Sequence, residues 1–173
     1  MHRRKAAALR VFVSRPTTIE PPFEREYSAF ERHLVASGLE SQRLGRANYS
    51  KKAPLLAVRE ILAECAGAIV LGYPHTRHVH RVVRGVTTTS EFGLDSPTPW
   101  NQIEGALAYG QGLPLLVVAH SSISGGIFDH GVTGEMVLTI DLAARGWFKT
   151  PAFRQPFEEF LVELRARAAA RSR

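Results

Sequence analysis

A chain of 173 residues suits a single domain, and its 45% hydrophobic content is enough for an ordinary core. No run approaches the roughly 20 apolar residues of a membrane span, and the one cysteine excludes a disulfide within the chain. The +6 charge lies in HRRK, RHVHRVVR and RARAAARSR, without the aromatic-interleaved stripe of a nucleic-acid site. The basic start leads into VFV rather than a signal-like stretch, so we expect one cytoplasmic domain over 1–173 with neither nucleic acid nor membrane as partner.

The first half of the chain predicts alternating strands and helices. LRVFVS, rich in β-branched residues, predicts a strand over Leu9–Ser14. Apolar residues three and four apart predict a helix over 23–37 that ends at Gly38, and LESQRL begins a second strand. A second helix is predicted over 54–65. The all-apolar AGAIVLGY that follows indicates a strand covered on both faces, as in a parallel sheet.

The middle of the chain combines a polar insertion with a third helix. Residues 74–97 carry three histidines and lack clear periodicity, so we expect a long loop that is either a functional lid or partly disordered. Thr98 fits a helix cap and Pro99 the first turn of the helix that follows. The apolar stripe predicted for this helix is Trp100, Ile103 and Leu107.

The last part of the chain predicts two more strands and a closing helix. The strands fall at 113–119 and within EMVLTIDL, and an amphipathic helix is predicted over 156–170. Strands and helices that alternate in this way predict an α/β domain with a mainly parallel sheet.

Glu104 places one carboxylate inside a segment, PTPWNQIEGALAYGQGLPLLVV, that otherwise indicates buried helix and strand. Trp100, Asn101 and Glu104 approach one helical face near its amino end, at the edge where parallel sheets bind ligands. The helix amino terminus favours an anion, so we expect Glu104 to stay ionised. An ionised carboxylate can stabilise or capture an oxocarbenium-like centre on a sugar. The spacing equally allows Glu104 merely to solvate the edge of an amphipathic helix.

The leaving group decides which further residues this chemistry needs. Nicotinamide leaves NAD as a neutral molecule, so no general acid is required. An ordinary nucleoside requires protonation of its base, for which Asp95, Asp129 and His130 are the candidates. Asp129 and His130 also fit a turn in which the aspartate caps its own backbone.

Two other patterns in the sequence bear on ligand binding. His75, His78 and His80 lie in a predicted loop without a carboxylate nearby, so we predict no metal site. Residues 124–126, Ser-Gly-Gly, could offer backbone amides to a phosphate, but without a phosphate-loop motif a surface turn is favoured.

The segment around Glu104 resembles a known superfamily. Trp100 with Glu104 four residues on is similar to the pattern of TIR domains, and EGALAYGQGLPLLVV resembles the segment around the nucleophilic glutamate of nucleoside 2-deoxyribosyltransferases. LRVFVS resembles the first TIR strand. Asn101 stands where many TIR domains carry cysteine, and Asp95 lies farther from the glutamate than the acidic residue of the transferases.

The resemblance implies a flavodoxin-like, three-layer α/β sandwich around a five-stranded, mainly parallel sheet. It also implies cleavage of an N-glycosidic bond, most directly that of NAD as substrate rather than cofactor, with Glu104 catalytic, and self-association with a role in bacterial defence signalling. A 2-deoxyribosyltransferase and a non-catalytic nucleotide-sensing or assembly module are the alternatives. The substrate-binding residues predicted with it are Ser14, Arg15, Arg46, Tyr49, Asp95, Trp100 and Asn101.

Overall fold

The computed structural model describes residues 8–44, 53–134 and 137–171. Five parallel strands form one sheet in the order β2-β1-β3-β6-β7, and two further strands pair as an antiparallel hairpin. The strands are β1 (Leu9–Ser14), β2 (Leu39–Gln42), β3 (Gly67–Gly72), β4 (Thr76–Val83), β5 (Val86–Ser96), β6 (Leu115–His120) and β7 (Val137–Ile140). The helices are α1 (Pro21–Ala36), α2 (Pro54–Glu64), α3 (Pro99–Gly110) and α4 (Pro151–Arg171).

Helices cover both faces of the sheet, which confirms the predicted flavodoxin-like three-layer α/β sandwich. Because successive side chains of a strand point to opposite faces, the apolar strands supply two separate cores. One core joins α1 and α4 to the sheet through Phe30, Leu34, Phe157, Leu164, Ile69 and Val118. The other joins α2 and α3 to it through Val58, Leu62, Ala108, Phe12, Val70 and Val117.

The long loop predicted over residues 74–97 is wrong, because β4 and β5 form a hairpin there. The register pairs Val82 with Thr87 and Val83 with Val86, so a two-residue turn connects the strands. Arg84 and Gly85 in this turn have φ angles of 50° and 78°. Two consecutive positive φ angles match the right-handed twist of paired strands, which is why such turns favour hairpins.

The apolar stripe predicted for α3 is wrong for Trp100 and Ile103, whereas Leu107 is partly buried against the core of α2 and α3. Trp100 and Ile103 are 40% and 38% exposed, and the buried residues of α3 are Asn101, Glu104, Gly105 and Ala108. Gly105 contacts Ile127 and Val70 so closely that an added Cβ would collide with Ile127. The helix therefore approaches the sheet through its smallest residues, and this face also carries the polar ones.

The remaining predicted elements are present with shifted ends. α4 begins five residues earlier than expected, at Pro151, and it contains Pro156 within its first turns. The last strand covers only Val137–Ile140. None of the helices in the described part of the chain has the length and apolarity that crossing a bilayer requires.

Candidate active site

The strand order places a crevice between β1 and β3. From β1 the chain moves outward to β2, and from β3 it moves the other way to β6 and β7, so the direction of winding reverses between β1 and β3. Ligands of open α/β sheets bind at the carboxyl ends of the strands at such a reversal. Ser14 ends β1, and the amino-terminal turns of α3 lie against this edge. The carboxylate of Glu104 lies there.

Two buried side chains hold Glu104 in place. The Ser14 hydroxyl donates a hydrogen bond of 2.6 Å to Oε2 of Glu104. Asn101 Nδ2 donates to Ser14 Oγ over 2.9 Å and lies 3.5 Å from the carbonyl oxygen of Leu71 in β3. Ser14 and Asn101 are each 1% exposed and Glu104 is 8% exposed. The carboxylate is therefore fixed to β1 directly and to β3 through the amide of Asn101.

Burial raises the pKa of Glu104 to about 7, although the hydrogen bond from Ser14 opposes the shift. Desolvation penalises the charged form, and here it outweighs the single hydrogen bond. Glu104 is the sixth residue of α3, beyond the first turn in which the helix dipole acts strongly. The expectation that Glu104 stays ionised is therefore wrong near neutral pH, where both forms are populated.

A cavity of about 760 Å³ opens above the carboxylate. This volume lies within the range of small-molecule sites. The polar and aromatic residues of its wall include Arg15, Arg43, His75, Thr98, Trp100 and Glu104. Glu104 is the single carboxylate among the described residues that line the cavity, whose wall also includes Arg15 and Arg43. The cavity therefore combines one acid with a positive wall.

Arg15 is fixed against the cavity wall by its own loop. Its Nη1 donates to the carbonyl oxygens of Pro16 and Thr17 at 2.7 and 3.3 Å, and its guanidinium lies 4.2 Å from the centre of the Tyr27 ring. Its Nε is buried and, among the described residues, has no hydrogen-bond partner. The charge of Arg15 is thus held at the cavity by carbonyl oxygens and an aromatic face, and no carboxylate of the described residues forms a salt bridge with it.

The other predicted substrate-binding residues fall in three places. Trp100 lines the cavity and is partly exposed. Ser14 and Asn101 are buried beside Glu104, and the Asn101 side chain forms hydrogen bonds with Thr98 and Ser14. Arg46 and Tyr49 lie outside the described residues. The substrate contacts of all five stay predictions.

Asp95 lies away from the described wall of the cavity. It accepts a hydrogen bond of 2.9 Å from Arg77 Nε across the β4–β5 pair. This bond, with a further one from Ser122, holds the pKa of Asp95 below its ordinary value against the opposing effect of burial. A carboxyl group that ionises so readily is a poor general acid.

The remaining polar candidates are engaged in a turn. Asp129 Oδ1 accepts a hydrogen bond of 2.7 Å from the amide of Gly125, and Asp129 and His130 are exposed. That amide is one of those predicted as possible phosphate donors.

Over the residues that the structure describes, no group of three or more His, Cys, Asp or Glu side chains could hold a metal ion.

Gln102 fastens the loop after β6 to α3. Its Nε2 donates to the carbonyl oxygen of Gly125 at 3.0 Å, and its Oε1 accepts from the amide of Ile127 at 2.9 Å. A Cβ on Gly126 would collide with the Gln102 amide, and the φ of 62° at Gly126 also favours glycine. The helix that carries Glu104 is thereby joined to the loop beside it.

Sequence interpretation missed Arg43 and His75 as residues of the cavity. Arg43 directly follows β2, and His75 follows β3 by three residues. Their positions just past the carboxyl ends of parallel strands are the one signal that could have indicated them. His75 was considered only as a metal ligand, because the spacing of three histidines dominated that segment.

Two comparisons of the sequence with known proteins found no match. No protein-family model matches the sequence. No curated protein matches it either. The candidate function therefore depends on the chemistry of the site and on the resemblance of its motif.

Proposed function

We propose that the protein cleaves the N-glycosidic bond of a nucleotide, most directly the bond between ribose and nicotinamide in NAD. The observation that carries this proposal is the buried Glu104 carboxylate in a nucleotide-sized cavity at the β1–β3 reversal. NAD is the substrate in this proposal and no cofactor is needed. The resemblance of Trp100 and Glu104 to the TIR motif supports the same assignment.

In this reaction the ionised Glu104 acts on the anomeric carbon of the ribose. The carbon–nitrogen bond breaks, its electron pair returns to the cationic pyridinium nitrogen, and nicotinamide leaves as a neutral molecule. Glu104 stabilises the oxocarbenium-like ribose or forms a transient ester with it. Water then adds to the anomeric carbon and loses a proton, which gives ADP-ribose. An internal nucleophile in place of water would give a cyclic product.

The charges of the cavity favour a substrate with phosphates. Arg15 and Arg43 on its wall complement the diphosphate of NAD, which a 2-deoxynucleoside lacks. A 2-deoxyribosyltransferase also requires a general acid for an ordinary nucleobase. Asp95, the acid expected from the motif, has a lowered pKa and pairs with Arg77. Both observations favour NAD over a deoxynucleoside.

The resemblance also supports proposals about where and how the protein works. TIR-like enzymes act in assemblies, so we propose that copies of this chain associate when active. A role in bacterial defence signalling follows from the same resemblance, and the cytoplasmic location expected from the sequence stays a prediction. A catalytically silent module that senses a nucleotide would use the same cavity, and the experiment below separates it from an enzyme.

The test measures nicotinamide release from NAD by chromatography. Concentrated wild-type protein is compared with Glu104→Gln and with Glu24→Gln, an exposed glutamate on α1 that serves as matched control. Wild type and Glu24→Gln are expected to release nicotinamide at equal rates. Glu104→Gln is expected to be slower by at least about 100-fold, because charge stabilisation at the reacting carbon is lost.

Two results would replace the proposal. Transfer of deoxyribose from thymidine to adenine, with NAD untouched, would identify a transferase. Nucleotide binding without turnover of either substrate, in dilute and concentrated protein alike, would identify a sensing module.

A further inference from the structure

Four buried side chains form a hydrogen-bonded relay from the start of α3 to the carboxylate. Its members are Thr98, Asn101, Ser14 and Glu104, each at most 8% exposed. Thr98 Oγ1 donates to Asn101 Oδ1 over 2.8 Å, and the two bonds described above continue the relay through Ser14 to Oε2 of Glu104. Because these side chains are nearly inaccessible, each proton of the relay is directed by the protein's own groups.

The orientation of the Asn101 amide is set from two sides. The carbonyl oxygen of Leu71 can only accept, so the amide nitrogen, not the amide oxygen, belongs beside it. Thr98 Oγ1 already accepts from the backbone amide of Asn101 at 3.2 Å, which leaves its proton available for Oδ1. Rotating the amide by half a turn would place two carbonyl oxygens against each other.

The fixed amide determines the direction of the Ser14 hydroxyl. Ser14 Oγ accepts a hydrogen bond from Asn101 Nδ2, so its own proton points to Oε2 of Glu104. Oε2 is therefore an acceptor in both states of the carboxyl group. When Glu104 takes up a proton, that proton goes to Oε1. In the described part of the chain no group donates a hydrogen bond to Oε1.

We propose that Asn101 is a positioning residue, which acts through Ser14 to reserve Oε2 of Glu104 as an acceptor and leave Oε1 to meet the substrate. The same oxygen then attacks the sugar when Glu104 is ionised and carries the proton when it is not. The catalytic meaning of this arrangement rests on the proposed function. The direction of the hydrogen bonds follows from the geometry and does not depend on that function.

Three basic side chains of the described residues share the cavity with Glu104. Arg15 follows β1, Arg43 follows β2 and His75 follows β3, and all three share the cavity with the carboxylate. Burial raises the pKa of Glu104 to about 7, and the hydrogen bond from Ser14 opposes this rise. A change in that bond should therefore be visible in the titration of Glu104.

The experiment follows the side-chain carboxyl of Glu104 by carbon NMR through a pH titration, without substrate. Glu104→Gln identifies the signal. The variants are Ser14→Ala, Asn101→Leu and Asn101→Asp, where the last keeps the shape of the side chain in case the leucine does not fold. The matched control is Gln102→Leu, which removes the neighbouring amide of α3, whose bonds go to Gly125 and Ile127.

We expect Ser14→Ala to raise the titration midpoint by about one to two pH units, the worth of a hydrogen bond to a charged group. Asn101→Leu should raise it by a smaller amount, because the freed hydroxyl of Ser14 can then accept from a protonated Glu104. Asn101→Asp should raise it at least as much as Asn101→Leu, since the new carboxylate competes for the proton of Ser14. Gln102→Leu should leave the midpoint unchanged.

A wild-type midpoint in Asn101→Leu and Asn101→Asp would overturn the proposal, whatever Ser14→Ala does. This result needs no turnover, so it is distinct from a failure of the proposed function, which would appear as wild type that releases no nicotinamide. In an active enzyme, Asn101→Leu should also move the acid limb of the kcat profile upward while KM stays nearly constant. A purely structural role would not move that limb.

Discussion

At the scale of single residues, Glu104 is subject to two opposed effects. Burial favours its protonated form, and the hydroxyl of Ser14 favours its ionised form. Ser14 and Glu104 are 90 positions apart in the chain, and no local pattern reveals that their side chains meet. The motif identified the carboxylate, but its protonation depends on a partner that only the assembled sheet supplies.

The raised pKa of Glu104 predicts a pH-dependent stability difference. The folded chain holds this proton up to about pH 7, whereas the unfolded chain releases it near its ordinary value of 4.5. The stabilisation from the protonated group is therefore complete below 4.5 and is lost as pH rises through about 7. The free energy of unfolding of Glu104→Gln, minus that of wild type, should therefore rise by about 2–3 kcal/mol as pH increases from 4.5 to about 7.

Urea unfolding of both proteins at a series of pH values measures this gain. Glu24→Gln controls for the loss of one surface carboxyl group. A difference between Glu104→Gln and wild type that stays constant across the series would contradict the prediction.

At the scale of elements, the orientation of α3 was the main error of sequence interpretation. The apolar residues of this helix were expected to face the core, because burial of apolar surface usually decides which face packs. Here Gly105 and Ala108 let the helix approach β3, and the face that contains them also contains Asn101 and Glu104. Close packing of small residues took precedence over hydrophobicity and turned the polar side chains inward.

This packing predicts that Gly105→Ala destabilises the fold. The added Cβ would collide with Ile127 Cδ1 and lie 3.3 Å from Val70 Cγ2, so the Ile127 side chain or the helix must shift. Overpacking of this kind costs about 1–3 kcal/mol in free energy of unfolding. The matched control is Gly110→Ala in the last turn of α3, where nothing lies within 4 Å of the added carbon.

Chemical denaturation of both variants tests this packing. Gly110→Ala is expected to be neutral or to stabilise the helix by up to about 1 kcal/mol. Equal effects of the two substitutions would show that helix propensity, and not contact with the sheet, controls the site.

The hairpin shows a second limit of pattern analysis. The β-branched residues on both sides of Arg84 and Gly85 are a strand signal, but the mixture of histidines, arginines and threonines obscured the alternation. Arg84 in a left-handed conformation is uncommon, so the turn did not resemble the usual Asn-Gly type. By contrast, the central strands β3 and β6 were predictable because buried parallel strands are continuously apolar.

At the scale of the whole molecule, the charge of +6 bears on how the proposed substrate would reach the cavity. Arg15 and Arg43 add a positive cavity wall to this overall field. A positive field attracts an anionic nucleotide, and dissolved salt screens that attraction. The positive charge of the chain is thus consistent with the proposed anionic substrate.

Salt dependence of turnover should separate NAD from an analogue without phosphates. For NAD, kcat/KM is expected to fall about three- to tenfold between about 0.01 and 0.2 M salt, with kcat nearly constant. For nicotinamide riboside, which lacks phosphates and carries a positive charge, kcat/KM should stay level or rise. Steady-state kinetics with both substrates at several salt concentrations provide the test, and parallel falls for both would contradict electrostatic attraction.

The edges of the main sheet restrict how copies of this chain can join. In the described part of the chain, the outermost strands β2 and β7 have four residues each, so these residues offer few backbone groups to an incoming strand. Short edge strands are one way in which proteins prevent sheets from pairing edge to edge and aggregating. An assembly of this protein should therefore form through helical surfaces or the protruding hairpin. It should remain a reversible complex, in contrast to a fibril built by continuous strand pairing.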